Sequence, residues 1–244
     1  MKGFKISQSA LKSFYDPKVC EIKWEEMFVN GYRTPPSPAM LDGLVFEELT
    51  IGGSRGGEVY EIPKLKSGKP SKRETDLLKL SKDAKQTMID LEIELIEVQP
   101  EWVVNDLSGH PDALIKYKGN EALMDLKYTG VKEDDSCRWN PFAWHDLEHK
   151  DFTQALHYVE MYYLMRGIYL PFFYLVFGKS GWVKFISIDI TAETMNTYRE
   201  RLDQFRSDLI DFKPQPINNY TICRKCAILC NKRTEKPNVM TIEI

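Results

Sequence analysis

Between Ala122 and Tyr128 the chain reads Ala-Leu-Met-Asp-Leu-Lys-Tyr, an apolar strand pattern interrupted by one acid and one lysine. Side chains alternate along a strand, so Asp125 and Lys127 share a face. Their neighbours Ala122, Leu123, Met124 and Leu126 mark a packed interior, where charge is not expected. Burying both groups costs several kcal/mol unless they pair with each other or hold a metal ion. An ordinary strand-face ion pair meets that demand, and so does a metal site.

The pattern on either side supplies the frame. A Ser-rich start followed by Leu11, Phe14 and Tyr15 at helical spacing predicts a short capped helix over 7–16. A second helix is expected over 39–50, ending before Gly52 and Gly53, and a third, amphipathic one from 74 to about 90. Three consecutive strands follow at 92–105, 109–117 and 122–128, with Gly119-Asn120 as the last turn. Then come a long helix at 151–166, strands at 170–177 and 182–190, and an amphipathic helix from 192 to about 211. This order predicts an α/β domain with a mixed central sheet. With 43% apolar residues, 244 residues can bury one substantial core, so 1–244 reads as a single domain with its core at about 39–212.

Composition excludes some classes. The N-terminus lacks the sustained apolar run of a signal peptide. The longest apolar run, 168–177, is about half the length that spans a bilayer and contains Pro171. The expectation is a cytosolic protein without a membrane partner. A net charge of −3 says nothing about nucleic acid, because binding depends on where charges sit. Lys64, Lys66, Lys69, Lys72 and Arg73 fall in a Pro-, Gly- and Ser-containing stretch that reads as an exposed loop. It is either solubilising or a contact for a DNA backbone.

Asp112 lies on the strand before Asp125, and the intervening turn can bring the two carboxylates side by side. Two such groups suit Mg²⁺ or Mn²⁺, hard ions that take oxygen ligands. A lysine beside them can orient a water or stabilise developing negative charge. Of the five cysteines, Cys223, Cys226 and Cys230 are close enough in sequence to reach one centre, which leaves a fourth position for Cys20. Thiolates in this pattern suit iron–sulfur or zinc, and unligated thiols remain open. Cys137 reads as a free cysteine in a loop. His110, in the Gly-His-Pro-Asp turn, either touches substrate or has no role. The Trp139–Trp144–His145 loop either stacks on unpaired bases or packs over the domain. Arg224, Lys225, Lys232 and Arg233 either meet phosphates or belong to a solvated tail.

With Pro111-Asp112 followed by Asp125-Leu126-Lys127, the chain resembles the PD-(D/E)XK nuclease superfamily. It is most similar to the RecB-type branch, which includes AddB nuclease domains and CRISPR-associated RecB-like exonucleases. Gly43-Leu-Val-Phe-Glu47 sits where that branch has G-x-x-x-H, with Glu in place of His. Gln154-Ala-Leu-His-Tyr158 matches its Q-x-x-x-Y, and the opening Ile6–Tyr15 segment leading to Cys20 resembles its N-terminal helix and first cysteine. The resemblance runs from about residue 4 to 230.

It implies a restriction-endonuclease-like α/β core, a mixed central sheet flanked by helices, with a cysteine-clasped region formed by 1–30 and 213–235. It further implies metal on Glu47, Asp112, Asp125 and the Leu126 carbonyl, with Lys127 serving the water and Gln154 and Tyr158 facing the site. A [4Fe–4S] cluster would sit on Cys20, Cys223, Cys226 and Cys230, with Zn²⁺ as the rival. The last two cysteines are two residues closer than is common in the branch. The implied activity is a Mg²⁺- or Mn²⁺-dependent DNA nuclease, an exonuclease on single strands or ends, in recombination, repair or CRISPR and phage DNA processing. No G-x-x-x-x-G-K-[ST] motif is present, so unwinding would fall to a helicase or another recombination or CRISPR partner. Oligomerisation is open. The alternative is a non-catalytic DNA-binding or assembly subunit that keeps the fold and the cluster.

Overall fold

A computed structural model describes residues 3–53, 60–62, 64–132, 151–217, 223 and 226. In chain order the elements are α1 (Gln8–Phe14), α2 (Glu21–Phe28), α3 (Pro38–Ile51), α4 (Lys72–Asp90), β1 (Ile93–Val98), β2 (Trp102–Val104), β3 (Leu107–Gly109), β4 (Ala113–Tyr117), β5 (Asn120–Thr129), α5 (Thr153–Arg166), β6 (Phe172–Gly178), β7 (Val183–Ile188) and α6 (Ala192–Asp208). They divide into two compact units, one of residues 36–196 and one of residues 1–35 with 197–244. Among the described residues no helix is long and apolar enough to cross a membrane.

The unit at 36–196 is built on a five-stranded sheet of order β1-β4-β5-β6-β7. Only the β5–β6 pair is parallel. It is joined by a crossover that includes α5, as parallel strands require. One face of the sheet carries Ile93, Ile115, Met124, Leu126, Phe173, Leu175 and Phe177, which pack against Val45 and Phe46 of α3 and Leu77, Leu80 and Met88 of α4. Removing a ring such as Phe46 from this layer would destabilise by about 3–5 kcal/mol. Helix starts are set by serines: the Ser37 hydroxyl accepts the Met40 N–H at 3.3 Å, and Ser71 accepts that of Glu74 at 3.2 Å. At the end of α5, Gly167 takes φ +74, the left-handed stop that glycine allows most easily.

The strand pattern departs from expectation in three places. The strand expected over 92–105 breaks after Val98, because Gln99 turns to φ +48 and Pro100 cannot donate to a ladder. That expected over 109–117 breaks at Pro111, so β2 and β3 form a separate two-stranded sheet beside α5, with Trp102 and Tyr162 rings 5.7 Å apart. The β4–β5 turn is Lys118-Gly119, one residue earlier than expected, with both at positive φ as a two-residue hairpin prefers. Lys72 and Arg73 belong to α4, not to the preceding loop. Arg73 is bound to Asp42 and the Pro38 carbonyl, and Lys72 to Asp76 at 2.8 Å. They line an open groove of about 680 Å³ that also holds Asp42, Asp76, Lys132 and Lys179, so its charge is mixed and not purely basic.

In the other unit, α1, α2 and α6 share an aromatic cluster. The Phe14 ring meets those of Trp24, Phe205 and Phe212 at about 5 Å, and Trp24 is fully buried with its Nε1–H on the Ala10 carbonyl at 2.9 Å. The Tyr15 hydroxyl donates to Asp208 Oδ2 at 2.7 Å, and Glu21 accepts the Gln215 N–H at 2.8 Å. α2 is absent from the sequence-based expectation, since Trp24 is its one buried residue and leaves no periodic signal.

Candidate active site

The site sits where a sheet ladder stops early. β4 and β5 pair from Tyr117–Asn120 to Ala113–Met124, and beyond that rung β5 continues against β6 alone. Asp125, Leu126 and Lys127 thus have no β4 residue in register beside them. Leu126 would have found its next partner on β4. Its N–H is taken instead by Asp112 Oδ2 at 2.8 Å, so a side chain closes the ladder that the backbone abandons. One strand residue directs its N–H and C=O toward the same side, so the Leu126 carbonyl also points to the side of Asp112.

Asp112 and Asp125 have no solvent exposure and Glu47 has 7%. Each is engaged by the protein. Lys127, 30% exposed, forms an ion pair with Asp125 Oδ2. Gln154 Nε2 donates to Asp125 Oδ1 at 2.6 Å. Gln99 Nε2 donates to Glu47 Oε1 at 2.5 Å, and the Gln99 N–H donates to the Asp112 carbonyl at 2.9 Å. Gln154 therefore faces Asp125. Tyr158, one turn later, donates its hydroxyl to the His110 carbonyl at 3.1 Å and packs on Gly109. The His110 side chain is exposed.

Burial and the nearby negative charge of Asp125 push the Tyr174 phenol up, so it stays protonated beside the cluster. Tyr174 occupies the β6 position paired with Asp125.

Glu47, Asp112 and Asp125 are buried carboxylates, and carboxylate oxygens are the donor type that suits a hard divalent ion. Among the described residues no three His, Cys, Asp or Glu side chains stand together in a group that could hold a metal ion. Cys20 precedes α2 and is half-buried, Cys223 is buried, and the Cys226 N–H donates to the Cys223 carbonyl at 3.1 Å. These three are thiols and not disulfides. Cys230, Cys137, the Trp139–His145 loop and Arg224, Lys225, Lys232 and Arg233 lie outside the described residues.

Sequence reasoning missed three contributors. Gln99 has no motif to announce it, and Gly109 looks like a turn residue although its role is close packing. His157 lies inside Gln154–Tyr158, fully buried, with Nε2 3.0 Å from the Ser108 carbonyl. Burial lowers its pKa from 6.5 to about 4, against a smaller opposing effect of the Ser108 bond. The unfolded chain thus takes up this proton before the folded one. Stability is unaffected above pH 6.5, falls as pH drops from there, and has lost its full share of roughly 3 kcal/mol below about pH 4. Urea unfolding of wild type and His157→Gln from pH 7.5 to 4.5 should show the steeper fall in wild type. Equal slopes would remove His157 as the cause.

No family model and no curated protein matches this chain. Among solved structures, one from Eubacterium rectale carrying the provisional label of exonuclease matches with a TM-score of 0.63 at 15% identity, covering 98% of this chain and 91% of that one. The two share a fold, a mixed five-stranded sheet flanked by helices in the present chain. SSO0001 aligns over 96% of this chain and 88% of its own at 14% identity, but with a TM-score of 0.37 it carries no argument.

Proposed function

We propose that this protein is a metal-dependent DNA nuclease of the PD-(D/E)XK type, in its RecB-like branch. The observation that carries the reading is the pair Asp112 and Asp125, both fully buried, flanking the point where the β4–β5 ladder stops, with Lys127 on Asp125. A core that buries two acids and half-buries a lysine forgoes stability that apolar residues would supply, which function explains better than folding does. The fold shared with the provisional exonuclease is consistent with this reading.

Glu47, Asp112, Asp125 and the Leu126 carbonyl would hold Mg²⁺ or Mn²⁺. Such an ion supplies polarisation of a phosphodiester and a more acidic water. The protein's own share is positioning. Gln154 fixes Asp125 through Oδ1, Asp112 is fixed by the Leu126 N–H, and Lys127 reaches solvent, where its ammonium can orient a water or meet negative charge on phosphate oxygens. The proposed substrate is DNA, as single strands or ends, and Cys20, Cys223, Cys226 and Cys230 are proposed to hold a [4Fe–4S] cluster, with zinc as the rival.

Anaerobically purified protein with Mn²⁺ should degrade labelled single-stranded DNA, and Lys127→Ala should lower the rate by about 10²–10³. Absence of cleavage of any DNA or RNA by wild type would overturn the enzyme reading and leave the non-catalytic subunit. For the cysteines, broad visible absorbance lost in Cys226→Ser is the expected result, and colourless protein with stoichiometric zinc is the contrary one.

A further inference from the structure

We propose that Gln99 is a positioning residue that sets the divalent-ion affinity of this site by holding Glu47 against the Asp112 main chain. The proposal rests on the ion-binding reading above and assigns a role to a residue that no motif marks.

Gln99 makes two bonds to two acid-bearing segments. Its side-chain amide donates to Glu47 Oε1 on α3, and its backbone N–H donates to the carbonyl of Asp112 at the entrance of β4. The link is made at some expense to the fold. Gln99 sits at φ +48, a left-handed conformation that side chains other than glycine, asparagine and aspartate rarely adopt. It precedes Pro100, which restricts its backbone further. Its Oε1 is buried and accepts no hydrogen bond, an arrangement that is uncommon and calls for a reason.

The space is also tailored. A Cβ on Gly53 would lie 3.0 Å from Gln99 Oε1 and 3.2 Å from Val98 Cγ1, and Gly53 itself is at φ +87. The amide is confined on its oxygen side and held on its nitrogen side by Glu47. Turning it over would set Oε1 against the Glu47 carboxylate, oxygen against oxygen, so the donor orientation is the one an ionised Glu47 selects. A strained backbone, an unsatisfied buried oxygen and a facing glycine converge on one glutamine whose useful bond is to a candidate ligand. Strain of this kind persists where the site requires it.

Gln99→Gly separates positioning from folding. Glycine accepts φ +48 and removes the orphaned oxygen, so the melting temperature should stay within a few degrees of wild type. It also removes the bond to Glu47, so Mn²⁺ affinity measured by calorimetry on the full chain, without DNA, should weaken about tenfold. Gln99→Leu should weaken Mn²⁺ binding equally. In a Glu47→Gln background neither change should weaken it further, because Gln99 acts through Glu47. Wild-type Mn²⁺ affinity in Gln99→Gly overturns the proposal while leaving the site intact. Additive losses with Glu47→Gln overturn it too. If wild type binds no Mn²⁺, the ion-binding reading falls and this inference falls with it, a result distinct from the other two.

Discussion

Asp112→Asn should lower DNA hydrolysis by about 10³ or more and at the same time raise the melting temperature. The asparagine Oδ1 can still accept the Leu126 N–H that Asp112 now takes at 2.8 Å, so the ladder stays closed where β4 leaves β5. What disappears is the charge of a carboxylate with no solvent exposure. Burying a neutral amide in place of a carboxylate avoids the cost of dehydrating a charge, worth on the order of 1–2 kcal/mol, or roughly 2–8 °C for a chain of this size. Losing a charged donor while keeping its hydrogen-bonding shape should remove activity through ion binding alone. Scanning calorimetry beside the single-stranded DNA assay reads both effects. A variant that melts lower and still cuts would show Asp112 to be a structural acid.

Gly109→Ala should damage the site from a distance. An added Cβ would stand 2.7 Å from Tyr158 Cε1 and 3.1 Å from Met161 Sδ. The methionine can bend away, but the tyrosine ring is held at its far end by the His110 carbonyl. Relief requires Tyr158 to lose that bond or α5 to lift, and Gln154 lies one turn earlier on the same helix. Overpacking of this kind destabilises by about 1–3 kcal/mol. Gln154 would then move off Asp125 Oδ1, and the DNA-cleavage rate should fall at least tenfold. Tyr158→Leu makes room, so the double variant should regain stability non-additively without regaining full rate. An unchanged melting temperature in Gly109→Ala would show that this contact carries no load.

Much of this arrangement was legible in the sequence because it rests on short-range pattern. Alternation placed Asp125 and Lys127 on one face of β5, and helical spacing placed Gln154 one turn from Tyr158. What escaped depends on tertiary geometry. Gln99 has its place because β1 ends in a left-handed residue, a conformation that Gln-Pro does not advertise. Tyr158 shares a motif with Gln154, and spacing alone did not show that its hydroxyl would bond the main-chain carbonyl of His110. Arg73 read as a free surface cation because nothing local shows that Asp42, on another helix, would claim it.

The parallel pairing of β5 with β6 also bears on time. Asp125 comes to rest opposite Tyr174, and the helix bearing Gln154 is made between them. At about 5–20 residues per second, several seconds of synthesis separate the acid from the strand that completes its surroundings, and non-local pairings of this sort form late in folding as well. Whatever chemistry Asp125 takes part in is therefore withheld from the unfinished chain. Its acids can be made early, but they cannot be confined together until the crossover has closed.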